Sequence, residues 1–487
     1  MSKVVRINKS IFCIFLGCSV VSVTSVLSYN LPLISYLFAF VSVLILIYNA
    51  LMRKWDNYLI IYLICFGLSL EYAYFVGDDN FYSLKNIRIL GLNLGIWMLF
   101  PVWIYAIIDG LNLKKIKREF SLFWGMGTSL FGINVIAAIM GILMLVFNDN
   151  GILETKGWFS SYLEVFYMHA LIPFTVFICM IMTLEKGCGV SRLVIKGTVA
   201  LQACLWGVTL QLVTSRLLGV YGSYDGLDTL MSSSIIAFLP FMILLSSYSN
   251  NTYFKFINII ISSIGILLAL LYNGSGKLII SIFLVFIIMY FINNNKPIVK
   301  IITVVFVFYF AFFISTLAND SNVLLGSKLS QTLSLIKFWE ADWLLNMDMS
   351  PRMRIAEFVN LFIEYAEKPW LILTGKGYGG TIKDHTQFFF LVPDYMMATG
   401  FSAKQWENKL FYDLHEIVNS LLIFGIMWVV FFIKTVKRVL KTYKRYPWIL
   451  IGAYWILLYY GYSFTITTFG VTAYFIGALE VDKDSCT

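Results

Sequence analysis

The sequence predicts an all-α fold, a polytopic transmembrane helical bundle of about 13–14 spans with one long, partly helical loop on its outer face. Three observations predict it. Apolar stretches of roughly 18–22 residues recur along the chain, the length that crosses about 30 Å of hydrocarbon as helix. The 487 residues are 59% hydrophobic and 13% charged, with a mean hydropathy of +0.80, too few charges to cover the surface of a soluble domain. Lys and Arg gather in alternate short hydrophilic breaks, the asymmetry that orients a multi-pass chain.

The first element follows Lys3, Arg6 and Lys9. It lacks a clear small-x-small cleavage site and a second apolar run follows at once, so it reads as an uncleaved first helix. The predicted spans are 10–28, 31–51, 58–76, 89–108, 121–147, 163–184, 193–213, 230–248, 254–272, 277–293, 299–317, 415–433, 447–461 and 464–479. The last two are short, and one of them has the length of a re-entrant segment. An aromatic content of 17% with only 9 prolines suits long spans that carry Tyr and Trp at their ends.

Most of the basic residues fall in the breaks on one side. The short breaks of the opposite side hold only Lys85, Arg88, Lys156, Arg216 and Lys277. The positive-inside rule then puts both termini on the cytoplasmic side of a multi-pass inner-membrane protein. The net charge of +9 reads the same way. The run from Lys434 through Lys437, Arg438 and Lys441 to Arg445 faces lipid headgroups, and no nucleic acid is expected as a partner. The cysteines (Cys13, Cys18, Cys65, Cys179, Cys188, Cys204 and Cys486) lie in spans or on the inner side. No structural disulfide is expected.

This divides the chain into helices 1–11 over residues 1–317, a large periplasmic loop over 318–414, and C-terminal spans with a cytoplasmic tail over 415–487. A loop of roughly a hundred residues without a structural role is uncommon, so this one reads as folded and functional. Within it, 354–366 has the period of an amphipathic helix with Ile355, Phe358, Val359, Phe362 and Ile363 on one face.

The chemistry-bearing residues are few. Of three histidines, His169 lies inside a span and reads as structural. His385 follows the Gly-rich stretch Gly375-Lys376-Gly377-Tyr378-Gly379-Gly380. His415 heads a helix where the long loop ends, a position suited to a general base. His415-Glu416-Ile417-Val418-Asn419 has Asn where a zinc HExxH motif has its second His, so no metal site is expected there. Asp78-Asp79 in an outer loop could bind a divalent cation, but a solvated acidic turn is the commoner reading of such a pair. Arg216, Arg352 and Arg354, with Lys277 in the turn Asn273-Gly274-Ser275-Gly276-Lys277, are cations of the outer side. Guanidinium groups there suit bidentate contact with a diphosphate. Glu71, within a span, is a further candidate because burying its charge is costly.

Taken in order over about residues 200–430, these segments resemble the O-antigen polymerase and O-antigen ligase superfamily of membrane glycosyltransferases. Arg216-Leu217-Leu218-Gly219 is similar to the family's Arg-x-x-Gly, and Ser275-Gly276-Lys277 to its small polar turn. Arg354, Phe358, Pro369 and Gly375-Lys376-Gly377 follow the pattern of its long outer loop, and His415 with Gly425-Ile426 follows the loop's close. Three departures stand out: Asp225-Gly226-Leu227-Asp228 replaces the usual Asn-Pro-Asn, Lys277 is displaced from the Ser-Arg position, and the spacing from His415 to Gly425 is about one residue short.

The resemblance implies a GT-C-like enzyme, without metal or cofactor, that joins undecaprenyl-diphosphate-linked oligosaccharide repeats at the periplasmic face. It implies that Arg216 and Arg354 hold the donor diphosphate, assisted by Arg352 or Lys277. His415 would act on the acceptor hydroxyl, and Gly377, Tyr378 and His385 would line the glycan groove. Membrane lipids, a chain-length regulator and a flippase are the other partners it implies. An O-antigen ligase that transfers glycan to lipid A–core shares the architecture. The rival of another class is a flippase for lipid-linked oligosaccharides.

Overall fold

Proline, glycine and a few side-chain caps decide where the helices of this chain start and stop. In the computed structural model the described residues are 2–67, 87–111, 121–146, 349–387, 403–412 and 414–443, with 389, 401 and scattered positions between 114 and 218. Helix α1 (Ser2–Asn30) ends where Leu31 precedes Pro32, which pushes Leu31 out of the helical region to φ −136° and ψ 78°. Pro32 then opens α2 (Pro32–Leu51) at a first-turn position that lacks no needed donor. The two helices pack against each other and against α3 (Trp55–Tyr62).

A single π-helical turn, Leu63–Gly67, follows α3. The buried rings of Tyr58 and Tyr62 stack at 6.5 Å, and Trp55 sets its edge against Tyr58 and Tyr105. The two tyrosine hydroxyls donate to the carbonyls of Met98 and Gly95. A tight hairpin pairs β1 (Arg88–Ile89) with β2 (Leu92–Asn93) through Leu90 and Gly91, both at positive φ as a two-residue hairpin loop requires. Asn93 caps the short α4 (Leu94–Trp97) by accepting from the Gly95 N–H at 2.8 Å, and α5 (Phe100–Ile108) follows. Arg53 ties α2 to the end of α5, pairing with Asp109 at 3.2 Å.

The remaining described elements form a second packing group. It comprises α6 (Ser121–Val146), α7 (Met349–Glu367), α8 (Leu371–Thr374), α9 (Ala403–Asn408), α10 (Glu416–Phe424) and α11 (Ile426–Tyr443). α7 ends at Glu367 because Lys368 precedes Pro369. The buried Met353, Ala356, Leu361, Leu371, Val418 and Leu422 share one core with Phe389, Phe401, Trp406 and Phe411. A pair of backbone hydrogen bonds between Ile382 and Phe411, at 2.8 and 2.9 Å, joins that aromatic cluster to the chain after α8.

The expected polytopic transmembrane bundle is corrected here. Counted over the described residues, no helix is long and apolar enough to cross a membrane. Three of the apolar runs are interrupted in the structure. The run 58–76 leaves the α-helix at Leu63 and continues as a π-helical turn. The run 89–108 becomes a hairpin and two short helices of four and nine residues. The run 415–433 is divided at Gly425, whose φ of 58° ends α10 after nine residues, and α11 carries Lys434, Lys437, Arg438 and Lys441 within its own length. The GT-C-like architecture, and the multi-pass inner-membrane location with both termini cytoplasmic, rested on such spans and are corrected on the same finding. Spans 230–248, 254–272, 277–293, 299–317, 447–461 and 464–479 lie outside the described residues, as does most of 163–184 and 193–213.

The helix expected at 354–366 is present as part of α7. Phe358, Val359 and Phe362 of the apolar face are exposed, whereas Glu357, Asn360 and Glu364 are buried. Buried carboxylates at such spacing demand partners, and those partners make the site.

Candidate functional site

Glu357, Asn360 and Glu364 recur at helical spacing along one side of α7, which turns a row of polar side chains inward. Each meets a segment far away in sequence. The Glu357 carboxylate is fully buried and accepts the backbone N–H of His415 at 2.9 Å through Oε2. Through Oε1 it meets Nδ1 of the same residue at 2.6 Å. His415 is the N-cap of α10, at φ −71° and ψ 130°, so its backbone donor is one that the helix leaves unused. A carboxylate only accepts, so Nδ1 is the donor in this contact, and the neutral ring then carries its lone pair on Nε2. The His415 side chain is 33% exposed, whereas its partner carboxylate is 0% exposed. This is the arrangement of a histidine oriented by a buried acid, with the second nitrogen left to act as a base.

Two turns further along α7, Glu364 collects three donors. Lys376 Nζ donates to Oε2 at 2.6 Å, and the Lys383 backbone N–H donates to Oε1 at 2.9 Å. His385 Nε2 lies 3.3 Å from the same oxygen. Burial alone would push this carboxyl up. The Lys376 charge, with hydrogen bonds from Lys376, Lys383 and His385, outweighs it and holds the group below the usual carboxylate range. Lys376 also donates to the Thr381 carbonyl at 2.8 Å. Between the two acids, Asn360 donates to Asp384 at 3.0 Å and accepts the Thr386 N–H at 3.1 Å.

The Gly-rich segment lies behind α10. Gly375 ends α8 at φ 67° and packs back to back with Gly425, so closely that a Cβ on Gly425 would sit 2.5 Å from the Gly375 nitrogen. From there the chain supplies the carbonyls that the break at Gly425 leaves free. Lys376 N–H donates to the Leu422 carbonyl at 2.7 Å, and Gly377 N–H donates to that of Ile423 at 3.1 Å. The Tyr365 hydroxyl and the Gly425 N–H donate to Leu421 at 2.5 and 2.8 Å. The last turn of α10 is thereby satisfied from three directions. Tyr378 N–H donates to the Ala137 carbonyl of α6 at 3.1 Å. Gly377 needs its bare Cα here, because a Cβ would sit 2.2 Å from the Gly141 nitrogen.

The predicted site residues therefore divide. His415 is held at the mouth of α10 by Glu357, and Arg354 stands one turn before Glu357 on α7 with its side chain half-buried. Arg352, also half-buried, lies near the start of the same helix. His385 sits at the other acid, Glu364. Gly377 and Tyr378 are buried. The Tyr378 ring is enclosed by Phe166 and Phe424 and its hydroxyl donates to Asn134, so it packs the protein and presents no face to a sugar. Arg216 and Lys277 lie outside the described residues, as do His169, Glu71, Asp78 and Asp79.

Sequence reasoning missed Glu357, Glu364 and Lys376. The signal available was Glu357-x-x-Asn360-x-x-x-Glu364, a polar row at helical spacing set against the apolar one. Among the described residues, no group of His, Cys, Asp and Glu could hold a metal ion. No family model, curated protein or solved structure matches the chain.

Proposed function

We propose that this protein is a glycosyltransferase that joins polyprenyl-diphosphate-linked oligosaccharide repeats, with His415 as its general base. The observation that carries the proposal is the Glu357–His415 pair. A buried carboxylate fixes Nδ1 at 2.6 Å while the imidazole stays partly exposed. In the reaction, Nε2 takes the proton of the acceptor hydroxyl as its oxygen attacks the anomeric carbon of the donor. The bond from that carbon to the diphosphate oxygen breaks, and the diphosphate leaves with the electron pair. In this reading Arg354, one helical turn before Glu357 on α7, meets the negative charge that develops, with Arg216 as its expected partner. Order along the chain supports the same reading, since Arg354, the Gly-rich segment and His415 follow the pattern of the polymerase and ligase superfamily.

The test is turnover of radiolabelled polyprenyl-diphosphate-linked repeats by the purified full chain. Wild type is expected to build a ladder of lengthened products, and His415→Ala to build none. A His415→Ala chain with an undiminished ladder removes the proposal. Transfer only to an added lipid A–core acceptor would make the protein a ligase instead.

A further inference from the structure

We propose that the buried Lys376–Glu364 pair is a positioning device for His415, holding the far end of the short helix that carries it. α10 is a nine-residue rod with a hold at each end, and both holds trace back to α7. At its N-terminus Glu357 binds the backbone and ring of His415. At its C-terminus the Leu422 and Ile423 carbonyls are bound by the backbone of Lys376 and Gly377. The Lys376 ammonium in turn is fixed by Glu364, seven residues after Glu357 and therefore two turns along the same side of α7.

Lys376 and Glu364 are 4% and 10% exposed, so this is a desolvated pair with a defined geometry rather than a surface contact. The Thr381 carbonyl gives the ammonium a second acceptor and fixes its direction. Within a rigid helix the spacing of the two holds sets how His415 meets Glu357. Release of the C-terminal hold lets the rod tilt, and the 2.6 Å contact at its other end is what the tilt disturbs. A displacement of about 1 Å is enough to cost a catalytic group ~100-fold in rate. The proposal rests on the reading of His415 as general base for its functional meaning, but the coupling itself can be measured without turnover.

The full chain has three histidines, so ¹⁵N labelling of histidine yields three imidazole pairs, and His415→Ala identifies its own. Wild type is expected to show His415 protonated on Nδ1. In Lys376→Met the ratio of Nδ1–H to Nε2–H forms at His415 is expected to shift by about tenfold, the scale of weakening one hydrogen bond to a charged group. Lys376→Arg, which keeps the charge, is expected to restore most of the wild-type ratio. Where Lys376→Met does not fold, Glu364→Gln gives the same readout, because it keeps an acceptor for the ammonium but removes the ion pair. A lowered melting temperature with an unchanged His415 tautomer ratio would overturn the proposal and leave the pair a packing element. Failure of wild type to turn over the lipid-linked donor would sink the glycosyltransferase reading instead, with the spectroscopic result standing on its own.

Discussion

Glu357 and His415 lie 58 residues apart in the chain, and one buried carboxylate takes both of the histidine's neighbouring donors, the backbone N–H at 2.9 Å and Nδ1 at 2.6 Å. The same group therefore caps α10 and selects the tautomer of its first side chain. Separate substitutions can tell these two effects apart.

Glu357→Gln preserves the shape and one acceptor but no longer selects Nδ1–H, because the amide also carries donors. Glycosyl transfer is expected to fall by roughly 10²–10⁴-fold, the range for losing a competent general base, while the chain stays folded. Circular dichroism and turnover measured on the same preparation check this. Unchanged turnover would show that the tautomer is irrelevant to the reaction.

Two glycines of α6 make a contrast within one helix. Nothing lies within 4 Å of a Cβ built on Gly132, so Gly132→Ala is expected to stabilise by up to about 1 kcal/mol through helix propensity. On Gly141 the same Cβ would sit 2.5 Å from the Tyr378 carbonyl oxygen. Gly141→Ala must separate α6 from the Gly-rich segment, an overpacking loss of about 1–3 kcal/mol. Thermal melts of the two variants should move in opposite directions.

Phe411 is fully buried, with ring centroids 4.8 Å from Phe389 and Phe401 and 5.0 Å from Trp406. Phe411→Ala is expected to destabilise by about 3–5 kcal/mol. Its backbone pairing with Ile382 would remain, so Phe411→Leu should recover much of the loss. Denaturant midpoints of the two variants provide the comparison.

Glu364 makes stability depend on pH in one direction. Its folded carboxyl lies below the usual range, so the unfolded chain binds the proton more readily than the folded one. The stabilisation is fully present above the ordinary carboxylate pKa of about 4.3, and it is lost as pH falls through the lowered folded value. Glu364→Gln should flatten the acid limb of the melting temperature against pH. Parallel acid limbs for the variant and wild type would mean that this carboxyl does not titrate with unfolding.

Much of the site's frame was legible. The helix over 354–366 and the helix headed by His415 follow from the local pattern of the sequence. The fold class was not legible, because an apolar run of span length says nothing about where its helix breaks. The run 415–433 looks continuous, yet Gly425 takes a positive φ there because Gly375 packs directly on it. The hairpin at Leu90–Gly91 interrupts another run for a reason as local as the glycine itself.

By itself the sequence determined which residues could head, end or interrupt a helix, and which side chains could carry proton transfer or meet a diphosphate. Only the tertiary structure decided which face of α7 turns inward. Period alone favoured Phe358, Val359 and Phe362, since local patterning weighs a carboxylate as a surface group. Burial of Glu357 and Glu364 is stable only when their partners converge on them. Those partners, His415 and the Lys376 ammonium, come from segments beyond the end of α7 that only folding brings together.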